Sequence, residues 1–369
     1  LKCITNLSKK IRENFYGKLI AITGSCGKTS LKQMIGESIS KFSKTNFSPK
    51  SYNNKYGVPL SLFNINLDYK TSIFEIGMDK KGEIDFLSNI LMPDIGVITN
   101  VSYAHAKNFK NINQIAEAKG EIIQNIKKNG IIILNKDDKF YQFHKKKANE
   151  RCLNVVSFSL KKKANIFLKS IKKERNKFII NVNIYRDEKF FYIKNINKNN
   201  LYNILATIAS LDAFINIVDL KKDIFLKINT PEGRGDIFNI NFKNKKIYFV
   251  DESYNSNPLS LKNSIENFEK IESKKSKKYI FLGDMLELGK HSIKQHKLIS
   301  KIINKAKINK VYVIGKHIRE TYKGLKPDKK AKILSNKFDM LKIIKNDFKD
   351  GDYLMVKGSN STGLNKFII

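Results

Sequence analysis

The sequence predicts an α/β chain of two domains, each built on a mostly parallel sheet. Three observations predict it. Short apolar runs alternate with segments of helical spacing along the whole chain, the pattern of strands joined by crossover helices. A glycine-bearing turn, Gly24 to Ser30, joins the first such run to the first long helical segment. One break, Thr230-Pro231-Glu232-Gly233, divides the alternation into two series, because Pro and Gly interrupt regular structure.

In order, residues 1–18 read as a short polar lead-in helix and Leu19–Thr23 as a buried strand. After the turn, Leu31–Phe42 has helical spacing, and Ser72–Ile76, Ile95–Thr99 and Ile131–Leu134 are further buried-strand candidates. Residues 153–195 differ. The runs Phe178–Val182 and Phe190–Ile193 predict antiparallel β-hairpins inserted late in this domain, before a helix near Asn203–Phe214. The second series begins at Ile247–Val250 and continues through Tyr279–Leu282, Val311–Ile314 and Tyr353–Val356. The expected domains are therefore 1–229 and 230–369, with no internal repeat.

Composition narrows the classes. The 369 residues suit two or three domains of roughly 150 residues each, and 41% hydrophobic residues with 24 Phe and 15 Tyr exclude a disordered chain. The net charge of +36 raises a nucleic-acid reading, yet only six of the 70 basic residues are arginine. Phosphate and base-edge readers favour the guanidinium fork, and lysine here is spread along the chain, so the expectation is a solvated basic surface and no nucleic-acid partner. Such a surface still attracts anionic substrates. Cys3, Cys26 and Cys152 make neither a disulfide framework nor a zinc pattern. No apolar run approaches the roughly 18 residues needed to span a bilayer, so the expected setting is the cytoplasm, without membrane attachment.

The sharpest local signal is Gly24-Ser25-Cys26-Gly27-Lys28-Thr29-Ser30. Glycines let backbone N–H groups curl around phosphate oxygens, and the following helix N-terminus favours negative charge. Lys28 would reach the β- and γ-phosphates and the Thr29 hydroxyl would ligate Mg²⁺. This marks the first domain as a P-loop ATPase domain. Ile22 occupies the first-glycine position of the longer pattern, so the match is to G-x-x-G-K-T. Glu75, near a strand end, and His105, after a strand, could add metal ligands. Taken alone, they read more readily as a strand-end surface carboxylate and a hydrogen-bonded loop histidine. Lys119, Asn203 and Arg234 carry no privilege by composition, and Asn255 and Asn257 beside Pro258 read as turn chemistry.

Together these stretches resemble the Mur ligase family of ATP-dependent amide-forming enzymes. The resemblance rests on Ile22–Ser30, Asn53-Asn54 with Gly57-Val58-Pro59, and Glu75-Ile76-Gly77-Met78 with Gly82-Glu83-Ile84. It continues through Asn100, His105, Ala118–Ile122 and Asn203–Ala206. The second half adds Gly233-Arg234, Asp251–Pro258, Gly283–Gly289 with His296, and Lys357-Gly358-Ser359. Tyr254-Asn255-x-Asn257-Pro258 and Gly283-Asp284-Met285 point to the branch that adds D-Ala-D-Ala to UDP-N-acetylmuramoyl-tripeptide in peptidoglycan precursor synthesis, and so to cell-wall biogenesis, cell shape and division.

The resemblance implies a Rossmann-like second domain and ATP with two Mg²⁺ ions as cofactors. It implies that Gly24, Ser25, Cys26, Gly27, Lys28, Thr29 and Ser30 bind ATP, with Asn203 facing adenine, Arg234 the phosphates, and Asp251 or Glu252 the ribose. Lys28, Glu75, His105 and Lys119 would be catalytic, with Thr29, Glu75, His105 and Lys119 serving the metals. Lys119 would be carbamylated by CO₂, which turns a cation into an anionic oxygen ligand. Asn53, Asn54, Asn257, Lys357 and Ser359 would bind substrate, and the second domain would close to exclude water from an acyl-phosphate intermediate. The chain is expected to be a monomer. Three departures stand out: Ala106-Lys107 after His105 where Leu-Glu is usual, Asn360 where an arginine is usual, and a start at Leu1, without methionine, that leaves out the N-terminal UDP-sugar-binding domain the resemblance implies. Truncation is the simpler expectation and a naturally shortened homologue the alternative. Rival readings are another ligase of the same fold, such as a folylpolyglutamate-synthase-like enzyme, a nucleic-acid-binding ATPase, and a non-catalytic nucleotide-binding module.

Overall fold

The computed structural model describes residues 2–48, 51–228, 231–242, 244–272, 276–336 and 339–364. Thr230, in the expected domain break, lies outside the described residues. The chain forms two units: Leu1–Ser102 with Asn108–Asn229, and Tyr103–Lys107 with Thr230–Ile369.

The first unit opens with α1 (Lys2–Glu13), β1 (Lys18–Thr23), α2 (Lys28–Ile39), β2 (Thr45–Phe47), α3 (Gly57–Phe63), β3 (Thr71–Glu75), α4 (Glu83–Leu91) and β4 (Ile95–Ile98). It continues with α5 (Ile112–Gly120), β5 (Ile131–Asn135), α6 (Tyr141–Glu150), β6 (Asn154–Ser159), β7 (Ile166–Glu174), β8 (Lys177–Ile184), β9 (Asp187–Ile193) and α7 (Lys198–Leu211). Its described sheet runs β2-β3-β1-β4-β5-β6-β7-β8-β9. Pairing is parallel from β2 through β7 and antiparallel only for β7-β8 and β8-β9. The hairpins expected over 153–195 therefore begin later. β6 follows the α6 crossover and adds in parallel beside β5, and the β7–β9 meander extends the same sheet.

β1 shows why the centre is parallel. Leu19, Ile20, Ala21 and Ile22 are all fully buried, as a strand covered by helices on both faces requires. Its register sets Ile22 against Glu75 and Thr23 against Ile98. The carboxyl ends of β1, β3 and β4 therefore meet at one edge of the sheet.

The second unit contains β10 (Asp236–Phe242), β11 (Lys245–Asp251), α8 (Pro258–Glu269), β12 (Lys278–Gly283), α9 (Ser292–Lys305) and β13 (Lys310–Ile314). It ends with α10 (Arg319–Lys323), β14 (Lys330–Ile333), α11 (Asp339–Asp347) and β15 (Tyr353–Lys357). The described order is β10-β11-β15-β12-β13-β14, parallel apart from the β10-β11 hairpin. Among the described residues, no helix is long and apolar enough to cross a membrane.

Part of the lysine excess has structural work. Helix ends leave carbonyls without amide partners, and cations offset the partial negative charge there. Lys278 Nζ donates to Glu269 O and Ile271 O at 2.6 Å each, at the end of α8. Lys329 does the same for Ile303 and Ala306 at the end of α9. Lys245 donates to Lys345 O and Phe348 O at the end of α11, both at 2.8 Å. In the first unit, Arg12 reaches Leu91 O and Met92 O at the end of α4, at 2.5 and 3.0 Å.

Asp284 and His296 brace the second unit. Asp284 accepts from Ile318 N–H at 2.7 Å and Lys316 N–H at 3.0 Å. His296 Nε2 accepts from Met285 N–H at 3.1 Å, so the ring proton sits on Nδ1 and is donated to Ser292 O at 2.8 Å. Burial of this neutral ring pushes its pKa below the usual histidine value.

Two stability measurements follow. Lys278→Met strips a charged donor from two carbonyls and is expected to cost about 2 kcal/mol in urea unfolding; an unchanged midpoint would show that the cap contributes nothing. A histidine with a lowered folded-state pKa takes up more protons when unfolded. The stability it contributes is therefore complete above about pH 6.5 and declines as pH falls below that value. His296→Gln should flatten this part of the pH–stability curve, and an unaltered slope would assign the effect to other groups.

Candidate active site

The turn after β1 sits at the shared strand edge. Gly24 has φ 146° and Gly27 φ 84°; a Cβ on Gly24 would collide with Thr99 Oγ1. Gly27 supplies the left-handed residue from which α2 starts at Lys28. The turn is fastened to the end of β4. Asn100 Oδ1 accepts from Cys26 N–H at 3.0 Å, while Asn100 Nδ2 and Thr99 Oγ1 donate to Cys26 O at 3.1 and 2.7 Å. Ser25 Oγ donates to Ser102 O at 2.9 Å and accepts from Ser102 N–H at 2.8 Å.

Glu75 ends β3 and is 2% exposed. Its Oε2 accepts from Thr29 Oγ1 at 2.7 Å and its Oε1 from Asn53 Nδ2 at 2.8 Å. Lys28 Nζ lies 3.9 Å from Oε1 and donates to Gly24 O at 3.0 Å. Ser51 Oγ is 3.2 Å from Thr29 Oγ1. The Thr29 and Ser51 hydroxyls and the Glu75 carboxylate, gathered at one point, offer the hard oxygen donors that Mg²⁺ prefers, so these residues fit such an ion. The glycine turn, closed to any Cβ at Gly24, fits a phosphate chain.

Lys119 lies on the last turn of α5 and is buried. Burial, with the nearby Lys28 charge adding to it, pushes its ammonium well below the ordinary lysine range. The neutral amine is thereby favoured, and a neutral amine is the form that attacks CO₂. Asn203, on α7, faces the turn: a Cβ on Gly27 would stand 3.2 Å from Asn203 Oδ1. Cys26, Gly27, Thr99, Asn100, Phe158, Asn199, Tyr202, Asn203 and Ala206 line a small cleft there.

Other expected residues are placed differently. Asn54 turns its Oδ1 to Tyr56 N–H and Gly57 N–H, at 3.0 and 2.9 Å, where α3 begins. His105 falls in the second unit, with φ 52° and its Nδ1 2.6 Å from Glu287 Oε2. That hydrogen bond holds the Glu287 carboxyl below its usual range. In the same unit, Asp251 Oδ1 accepts from Ser253 N–H at 2.9 Å. The Arg234 guanidinium lies 4.1 Å from the centre of the Tyr254 ring. Asn257 caps α8, its Oδ1 accepting from Ser260 N–H at 3.0 Å. Lys357 Nζ donates to Asn255 O at 3.0 Å and lies 3.3 Å from Glu252 Oε2, and Ser359 Oγ accepts from Leu286 N–H at 2.8 Å. Spacing gave no role to Thr99, Asn199 or Tyr202; only their position after neighbouring strands and on the α7 face that meets the turn could have suggested one.

Comparison with known proteins gives the family. Residues 22–211 match the Mur ligase middle domain and residues 237–360 the Mur ligase glutamate ligase domain. The UDP-N-acetylmuramoyl-tripeptide–D-alanyl-D-alanine ligase of Buchnera aphidicola subsp. Acyrthosiphon pisum is 32% identical over 362 residues, covering 97% of this chain and 77% of the relative. The Bacillus subtilis ligase of the same name is 28% identical, covering 100% and 79%. Among solved structures, MurF from Acinetobacter baumannii superposes with a TM-score of 0.88 at 23% identity, covering 99% of this chain and 79% of that one. MurF from Thermotoga maritima in complex with ADP gives 0.85 at 24%, covering 100% and 82%. With both domain models matched in order and a relative above 30% identity aligned over 97% of this chain, the chain belongs to the Mur ligase family.

Proposed function

We propose that this chain joins D-Ala-D-Ala to UDP-N-acetylmuramoyl-tripeptide with hydrolysis of ATP to ADP and phosphate, a step of peptidoglycan precursor synthesis in the cytoplasm. The observation that carries the reading is the Glu75 cluster: a buried carboxylate bonded to Thr29 and Asn53 directly beside a glycine turn and its lysine. The names of the aligned ligases supply the substrates. Residues 1–229 are assigned to the ATP-binding domain and 230–369 to the C-terminal domain.

In this reading the glycine turn at the start of α2 and the Lys28 ammonium hold the triphosphate and neutralise charge on the phosphoryl group in transfer. The acceptor carboxylate takes the γ-phosphoryl group; the bond to ADP breaks as the acyl phosphate forms. The D-Ala-D-Ala amine then attacks the acyl carbon, phosphate leaves, and the amine loses a proton. Thr29 and Glu75 would hold Mg²⁺, which when bound neutralises phosphate charge. A second Mg²⁺ with His105 among its ligands belongs to the same proposal. Asn203 is assigned to the adenine, Arg234 and Asp251 to the nucleotide, and Asn53, Asn54, Asn257, Lys357 and Ser359 to the acceptor and dipeptide.

Lys119 is assigned a carbamate. Its neutral Nζ attacks the carbon of CO₂, an N–C bond forms, one C–O π pair moves to oxygen, and the nitrogen proton leaves to solvent. Lowered lysine basicity supports this step, because a protonated amine has no free electron pair.

Lys28→Ala is expected to lower amide formation at least about 10²-fold; unchanged turnover would remove the phosphate assignment. Lys119→Ala should abolish ligation, and added short-chain carboxylate should restore part of it by replacing the lost oxygen ligand. Full activity of Lys119→Ala without additive would rule out the carbamate.

A further inference from the structure

We infer that His144 is a positioning residue for Lys119, an inference that rests on the carbamate reading above. α5 ends at Gly120, one residue after Lys119, and tightens into a 3-10 turn over Glu121–Asn125. His144, on α6, adds a bond at this last turn: its Nε2 lies 2.9 Å from Ala116 O, so Nε2 carries the proton and donates it. Ala116 precedes Lys119 by three residues, nearly one turn, on the same side of α5.

The ring also covers the next residue. A Cβ on Gly120 would stand 3.2 Å from His144 Cδ2 and 3.4 Å from its Nε2, so the ring packs closely against this glycine. His144 is 2% exposed, and water is poorly placed to replace the bond. One donor and one close contact thus fix the turn that carries Lys119. No motif in the sequence marks this histidine, and neither the family models nor the named relatives give it a role.

The consequence concerns CO₂. Carbamate formation on Nζ is reversible: the N–C bond made with loss of a proton is broken when a proton returns. Its occupancy therefore depends on how well the surroundings hold the lysine in place. Loosening the end of α5 should raise the CO₂ needed for the same occupancy.

The test titrates bicarbonate into the full-chain ligation reaction for wild type, His144→Leu and His144→Gln. Supporting partners of this kind are worth about 10- to 100-fold in activity. His144→Leu should lose at least about 10-fold in kcat at low bicarbonate and need roughly that much more bicarbonate for half-saturation, with KM for D-Ala-D-Ala unchanged. His144→Gln, which keeps a side-chain N–H donor, should recover most of the loss. Should the leucine variant not fold, His144→Asn, which is too short to reach Ala116, takes its place against His144→Gln. If wild type responds to bicarbonate and the leucine or asparagine variant has the same half-saturation, the inference is overturned alone. If wild type ignores bicarbonate, the carbamate reading fails and takes the inference with it.

Discussion

Glu75 brings a full negative charge to a position almost closed to water, at the carboxyl end of β3. An isolated buried carboxylate would cost several kcal/mol, and the surrounding elements are arranged to meet it. Thr29 reaches it from the first turn of α2, Asn53 from the loop before α3, and Lys28 from the start of α2. The registers of β1 with β3 and of β1 with β4 make this meeting possible by ending the three strands together. A slip of one residue would turn Glu75 to the other face of the sheet. The phosphate turn, the hydroxyl beside it and the loop with Asn53 are thereby held as one group.

A second constraint runs through both units. The chain carries more positive charge than its acidic residues can balance, and a large net charge opposes compaction. Part of the excess is placed where it helps, on the carbonyls at the ends of α4, α8, α9 and α11. Lysine suits this use because a long apolar stem can cross the core and deliver an ammonium to a helix end. The basic composition thus reads in part as helix capping.

The alternation of apolar runs with helical segments was legible because central parallel strands are buried on both faces. The strand Leu19–Ile22 is an example. Edge strands were harder. β14 spans only Lys330–Ile333 with two apolar residues, and β2 only Thr45–Phe47. β6 was grouped with the hairpins because local pattern does not report the partner a strand finds after a crossover. Within the candidate site, Gly24–Thr29 and Glu75 were visible through spacing and strand context. Thr99 and Asn100 were not visible as anchors of Cys26, because their contacts join residues about 73 positions apart. Lys119 could be singled out only by resemblance, since its burial, and the lowered basicity that follows, arise from packing. Asn54 and Asn257 show the reverse: turn chemistry alone accounts for the bonds their side-chain oxygens make at helix starts.

The central claim is that ATP cleavage here is coupled to amide formation. The most direct measurement is ADP release with Mg-ATP, UDP-N-acetylmuramoyl-tripeptide and D-Ala-D-Ala, each omitted in turn, with the product followed by mass spectrometry. The account predicts release that requires both acceptor and dipeptide, together with a product of the mass of the joined peptide. ADP release that proceeds equally well without them, and yields no amide product, would contradict it.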